Sequence, residues 1–366
     1  TCQARKKRWL YINKAGRKRL AINKMKLLII TQKADINDDV LGFFHRWLEE
    51  FAKHCEKVTV ICLEMGEYNL PDNVKVLSLG KEEQWRKIKY ALNFYKYIWQ
   101  ERKNYDAVFV HMNQEYVLLG GFFWKLFGNK VYMWRNHPAG SFLTDIAASF
   151  CTKIFCTSKF SFTAKYKNTA IMPVGVDIEI IKHIEPIKRI PQSVLFLARI
   201  SPSKRPDIFI KAVSKIKEKI PNLTGSVYGN PLPKDELYYQ ELKNIVVNNK
   251  AEAYINFHKG PLYPENMRVF FSHSIFVNTS PSGMYDKTIF EAMACGCLVL
   301  VSNDNLSGQI NNDFMFKQGD TIELSEKLEK LLNYSDEERQ NYSRQLQEFA
   351  KKHSLKFLAE KLFFNM

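Results

Sequence analysis

One alternation, run twice, constrains this chain more than any other feature. From Met25 onward, short apolar runs alternate with longer segments of helical periodicity. "KLLIIT" at 26–31 precedes a helical pattern from Phe43 to His54, and "VTVICL" at 58–63 precedes a long one near 82–103. "YDAVFVHM" at 105–112, a helix through Leu126, "KVYMWRNH" at 130–137, "KIFCTS" and "TAIMPVGVD" complete the first series. Strand-length apolar runs separated by helices require a mostly parallel sheet covered on both faces. Residues 184–192, "IEPIKRIPQ", are polar, hold two prolines and read as a linker. The alternation then restarts with "SVLFLARI", a helix from about 206 to 220, "TGSVYGN", a helix near 234–249, "YINFHKG", "HSIFVNTS" and "CLVLVS". Two doubly wound sheets joined by a hinge leave a cleft between the carboxyl ends of their strands, where ligands of such folds bind. From Asp336 the chain is helical and amphipathic. Ser354 is a candidate cap for a final helix carrying Leu355, Phe357, Leu358, Leu362 and Phe363.

Composition excludes several classes. With 366 residues, 46% of them hydrophobic, the chain can bury two ordinary cores and is not disordered. No apolar run reaches the roughly 18 residues of a membrane span; Val117 to Trp134 is broken by Lys125, Asn129 and Lys130. The first apolar stretch is short and lacks a small-residue cleavage site, so no signal peptide is expected. Seven scattered cysteines form no zinc pattern and read as reduced, buried thiols of a cytosolic protein. No HExxH or EF-hand pattern occurs. Residues 1–24 carry nine Lys or Arg and no acid, which leaves +7 of the chain's +16 for the remainder. Such a tail suits nucleic acid or an anionic membrane. "MKLLIIT" nevertheless reads as a first buried strand, so Met25 is the favoured start and the tail a dispensable one.

The densest chemistry lies in "SPSGMYDKTIFEAMACGCLVLVS", residues 280–302. Glu291 stands among Ile289, Phe290, Ala292, Met293 and Ala294, and a carboxylate there needs donors. Asp286 sits where a residue caps a helix from about Lys287 to Cys295, and Gly296 can end it. Free backbone N–H groups of that first turn, at Lys287 and Thr288, form an anion site. Glu291 cannot bind an anion; paired ribose hydroxyls would suit it.

This segment resembles the nucleotide-sugar motif of the group 1 (family 4) retaining glycosyltransferases, whose GT-B fold sets two Rossmann-like domains face to face. The family's motif has two glutamates separated by seven residues, then Ala-Met-Ala-x-Gly. Glu291 to Gly296 match the second half, and in the family that glutamate holds the donor ribose. The first glutamate falls at Gly283, where this chain has no side chain, so sugar specificity is set differently. Asp286 is the nearest acid, and the cap is its expected job. "LFLARISPSK" resembles the strand and loop whose two cations, here Arg199 and Lys204, hold the donor diphosphate. "SVYGN" resembles the family's glycine loop at Gly229. On the acceptor side Gly42 resembles a loop glycine that lets substrate approach the backbone, and His137 the histidine beside the transferred sugar.

The resemblance implies a metal-independent hexosyltransferase-type enzyme with no cofactor beyond its substrate. Its partners would be a UDP- or GDP-sugar and a glycan or lipid-linked acceptor, in surface polysaccharide or glycolipid assembly. It would be cytoplasmic, peripheral at an anionic inner membrane face, and would bind no nucleic acid. The domains expected are residues 25–185 on the acceptor side, 186–345 for the donor, and a helix at 346–366 packing back on the first. A nucleotide-sugar 2-epimerase and a nucleotide-binding relative without transfer remain alternatives. The first needs acid–base groups that are not evident; Gly283 keeps the second open.

Overall fold

The computed structural model describes residues 25–366 apart from Asp39, Trp85 and Pro186; the basic segment 1–24 lies outside the described residues. The first series forms β1 (Met25–Ala34), α1 (Gly42–Ala52), β2 (Cys55–Met65), β3 (Val74–Ser78), α2 (Lys87–Gln100), β4 (Ala107–His111), α3 (Gln114–Leu126), β5 (Lys130–Trp134), α4 (Phe142–Phe150), β6 (Lys153–Cys156) and β7 (Thr169–Ile171). All seven strands are parallel, in the order β3-β2-β1-β4-β5-β6-β7. Leu27 to Ile30 of β1 are buried on both faces, as a central parallel strand must be. In α1 the side chains of Phe44, Trp47, Leu48 and Phe51 recur at helical spacing and bury one stripe against the sheet.

The second series gives β8 (Ser193–Leu197), α5 (Pro206–Ile216), β9 (Thr224–Tyr228), α6 (Glu236–Asn248), β10 (Ile255–His258), α7 (Glu265–Ser272), β11 (Ile275–Asn278), α8 (Lys287–Ala294) and β12 (Leu298–Val301). Its five parallel strands run β10-β9-β8-β11-β12. Helices α9 (Thr321–Leu332) and α10 (Asp336–Lys351) follow. Residue 346 therefore lies inside a continuous helix, and the break falls at 352–354 instead. There Ser354 Oγ accepts from the Phe357 N–H at 3.2 Å and starts α11 (Leu355–Asn365). Leu355, Leu358, Ala359 and Leu362 of α11 bury themselves in the first core beside α1.

The chain crosses between the sheets twice, and the crossings are bonded to each other. The N–H groups of Gly175 and Val176 both donate to the His353 carbonyl, at 3.0 and 2.9 Å, and Leu355 N–H donates to Val176 at 2.7 Å. This paired crossing holds the carboxyl ends of both sheets on a common side.

Candidate active site

In each sheet the strand order reverses once, between β1 and β4 and between β8 and β11. Crevices open at such switch points because the connections leave in opposite directions. At the second one, the loops after β8 and β11 are stitched together. Thr279 Oγ1 donates to the carbonyls of Lys204 and Arg205, at 2.5 and 3.1 Å. Lys204 Nζ lies 2.6 Å from Asp286 Oδ1 and 3.2 Å from Ser280 Oγ. Asp286 Oδ2 accepts from Ser280 Oγ at 2.5 Å and from Asn278 Nδ2 at 2.9 Å. Burial alone would raise this carboxyl, but the Lys204 charge and these donors hold it below the ordinary aspartate value of 3.8.

Asp286 does occupy the N-cap position of α8, yet its side chain accepts nothing from the helix backbone. The expected cap bond is absent because the carboxylate is turned to Lys204, and a charge-assisted bond outcompetes a neutral one. The first-turn amides of α8 thus keep no side-chain cap. Lys204 has three N–H donors, two of them engaged, which leaves one to direct elsewhere. Arg199, two residues beyond β8, is exposed and forms no bond or ion pair among the described residues. Gly229 follows β9, where a Cβ would lie 1.9 Å from the Ala198 carbonyl oxygen; only glycine permits the approach that fixes the β8 loop. Thr288 is half-buried.

Lys287 and Glu291, one turn apart on α8, point toward the first domain. Glu291 is 7% exposed, and Asn266 Nδ2 of α7 donates to it at 3.1 Å. The Lys287 ammonium sits 3.4 Å from the ring centre of Phe43 and 4.6 Å from that of Trp47, both on α1. Asp177, bonded by Arg46 Nε at 2.8 Å and by Tyr263 Oη at 3.3 Å, completes the cluster. Burial pushes the Glu291 carboxyl up against the pull of Lys287, and pushes the Lys287 ammonium down against Glu291 and Asp177. The space enclosed by these residues is about 10 Å³, at the lower limit for one water. A ribose does not fit beside Glu291 in this conformation, so the carboxylate is satisfied here by Asn266 rather than by sugar hydroxyls.

The first domain's loops close on the same region. Gly283, at φ +151°, brings its backbone to Pro138, so that a Cβ there would lie 3.6 Å from the proline ring. His137 is exposed, and its Nδ1 accepts from the Ala139 N–H at 3.0 Å. Ser158 Oγ bonds Asn305 Oδ1 across the gap at 2.7 Å. At the first switch point Thr31 Oγ1 and His111 Nδ1 are 3.2 Å apart, and the imidazole stacks on Phe44 at 3.9 Å. Burial first, then the Lys287 charge, pushes His111 down to about 3. Gly42 opens α1, where a Cβ would fall 3.0 Å from the Ile36 carbonyl oxygen. The close approach this glycine permits is thus to its own loop.

The structure therefore unites Lys204 with Asp286, Lys287 with Glu291, and Gly283 with the loop of His137. The clamp donors Ser280 and Asn278, and the interdomain residues Phe43, Trp47, Asp177 and Tyr263, were not legible as site residues. The i, i+4 spacing of Lys287 and Glu291 was the one available signal.

Two parallel doubly wound domains meeting at their strand carboxyl ends define the GT-B class of glycosyltransferase fold. The chain aligns with Anabaena HepE in complex with UDP at TM-score 0.73 and 15% identity, over 93% of this chain and 99% of that one. It aligns with a glycosyltransferase of Rickettsia africae at TM-score 0.73 and 14% identity, over 93% and 97%. Residues 177–353 match the family model of glycosyl transferases group 1. A curated relative, the GtfA subunit of a UDP-N-acetylglucosamine–peptide N-acetylglucosaminyltransferase of Streptococcus pneumoniae, is 30% identical over 108 residues. That match takes in 30% of this chain and only 20% of the relative's length.

Proposed function

We propose that this protein transfers a sugar from a UDP-sugar to a hydroxyl acceptor, with retention of anomeric configuration and without a metal. The observation that carries the reading is the Lys204–Asp286–Ser280 clamp at the β8/β11 switch point, beside the uncapped first turn of α8. The remaining Lys204 donor, the Arg199 guanidinium and the amides of Lys287 and Thr288 can share a departing diphosphate. As the anomeric carbon–oxygen bond breaks, the diphosphate takes the electron pair. The acceptor hydroxyl bonds the same face of the carbon and gives its proton to the phosphate oxygen. Glu291 receives the ribose hydroxyls once the domains part at the Lys287 cluster. Asp286 acts as the positioning residue for Lys204, and His137 faces the sugar. UDP is favoured over GDP because UDP and UDP-glucose are the ligands of HepE in structures that share this fold. The acceptor is a glycan or lipid-linked glycan at an inner membrane face.

Gly283 favours one second reading, a relative that binds the nucleotide and transfers nothing. Thermal-shift titration with UDP-, GDP- and ADP-sugars, with and without EDTA, tests the donor site. A UDP-sugar at 100 times its Kd should stabilise the protein by about 2.7 kcal/mol, equally with EDTA. No shift with any nucleotide-sugar overturns the reading, and a shift without nucleotide release selects the second one.

A further inference from the structure

Helices α2 and α3 carry an outward apolar stripe that the fold does not use. On α2 the core takes Phe94 and Ile98, while Ile88, Leu92 and Trp99 recur at i, i+4 and i+11 on the exposed side, with half-buried Tyr95 at the edge between the two. Ile88 is 73% exposed and Leu92 64%. On α3 the core takes Tyr116, Val117 and Trp124, while Leu119, Phe122, Phe123 and Leu126 face outward. The two stripes adjoin. The rings of Tyr95 and Phe123 are 5.6 Å apart, and those of Trp99 and Phe127 6.0 Å, around an apolar depression of about 330 Å³. A soluble surface gains nothing from two adjoining stripes of this kind.

The border of the patch is basic. Arg86, Lys87, Lys96, Lys103 and Lys125 are exposed, and among the described residues none of them pairs with a carboxylate. Arg102 lies over the Trp99 ring at 4.2 Å. The one exposed acid on the two helices is Glu115. No described helix is long and apolar enough to cross a membrane. Protein interfaces deplete lysine, whereas helices lying in an anionic bilayer surface set Trp, Phe and Leu against the acyl boundary with Lys and Arg around them. Continuity with the acceptor side gives a further argument. Leu119 and Lys87 also line a groove that reaches Gln32 and Asn113, just past or near the carboxyl ends of β1 and β4.

We propose that the α2–α3 face docks this protein on an anionic lipid bilayer, with the exposed aromatic and aliphatic side chains entering the headgroup boundary. This supplies the partner surface for the proposed transfer to a membrane-linked acceptor. It rests on that reading for its purpose only, since docking is measured without donor or acceptor.

The test is cosedimentation of the 366-residue chain with vesicles of phosphatidylcholine, or of phosphatidylcholine with phosphatidylglycerol. Wild type should bind the anionic vesicles in a salt-sensitive way and the neutral ones far less. Lys96→Gln/Lys125→Gln should weaken binding about thirtyfold, from roughly 1 kcal/mol per cation. Ile88→Ser/Leu92→Ser/Phe122→Ser should weaken it at least tenfold, while circular dichroism and UDP affinity match wild type. Equal binding to neutral vesicles overturns the proposal. So does a triple variant that binds like wild type, which would move the contact elsewhere, for example to residues 1–24. A lipid-free dimer abolished by the triple variant would assign the face to a second copy and overturns it too. If UDP-sugars fail to bind while docking persists, the proposed function fails and this inference stands.

Discussion

Replacing Asp286 by asparagine probes the clamp with no change in size. The carboxylate now accepts from Lys204 on one oxygen and from Ser280 and Asn278 on the other. An amide offers one oxygen and one NH2 group. If the oxygen stays with Ser280 and Asn278, the NH2 faces the Lys204 ammonium, donor against donor; the other orientation strands Ser280 and Asn278. Either way at least one charge-assisted bond is lost, worth about 1.5–3 kcal/mol. The ion pair's side chains remain about a fifth exposed, so the lower half of that range applies. Asp286→Asn should therefore lower stability by about 1.5–2 kcal/mol in urea denaturation. It should also weaken UDP binding by about tenfold in calorimetry, because Lys204 loses the partner that aims it. A variant within about 0.5 kcal/mol of wild type, with unchanged UDP affinity, would refute the positioning role.

The interdomain pair should couple. Lys287→Met forfeits the cation–π contacts and leaves Glu291 buried with Asn266 alone, at a cost of about 2–4 kcal/mol, and adding Glu291→Gln should recover about 1–3 of it. A cycle additive to within about 0.5 kcal/mol would mean the two groups do not interact. Gly229→Ala should destabilise by about 2–3 kcal/mol and slow turnover, since its Cβ meets the backbone oxygen of Ala198; wild-type melting would show that the loop yields freely. His353 is pushed down to about 4, by burial first and then by Lys361 and Lys352. A lowered imidazole pKa favours the neutral folded form, so its contribution is complete above pH 6.5 and lost as pH falls from 6.5 to 4. Denaturation across that window should show about 2–3 kcal/mol less pH dependence in His353→Gln than in wild type. An equal slope in both would count against it.

The alternating pattern revealed both sheets, because a parallel strand buried on two faces must be a continuous apolar run. β3, "VKVLS", gives no such signal, because it is a half-exposed edge strand with no continuous apolar run. α4, "FLTDIAASF", is a short helix with a weak sequence signal, and its start is marked only in the structure, where Thr144 Oγ1 accepts from the Ser141 N–H. Lys204 and Glu291 could be named from their motifs, but their partners could not. Lys204 and Asp286 are 82 positions apart, and Phe43 and Lys287 stand on different domains that the fold brings face to face. The Asp286 reading failed for that reason: local sequence favours a cap, and the competing cation arrives from another loop. The outward stripe on α2 was hidden by its own regularity, since periodicity alone does not say which of two apolar faces is buried.

Nucleotide release is the decisive measurement for sugar transfer. The protein is incubated with UDP-glucose and UDP-N-acetylglucosamine, and free UDP is followed together with the anomeric configuration of the sugar set free or transferred. One donor should yield UDP and a product of retained configuration, at a rate unchanged by EDTA and at least about 100-fold lower in Lys204→Met, which removes a cation from the developing diphosphate charge. Release at the same rate from folded Lys204→Met, or a product of inverted configuration, would contradict it.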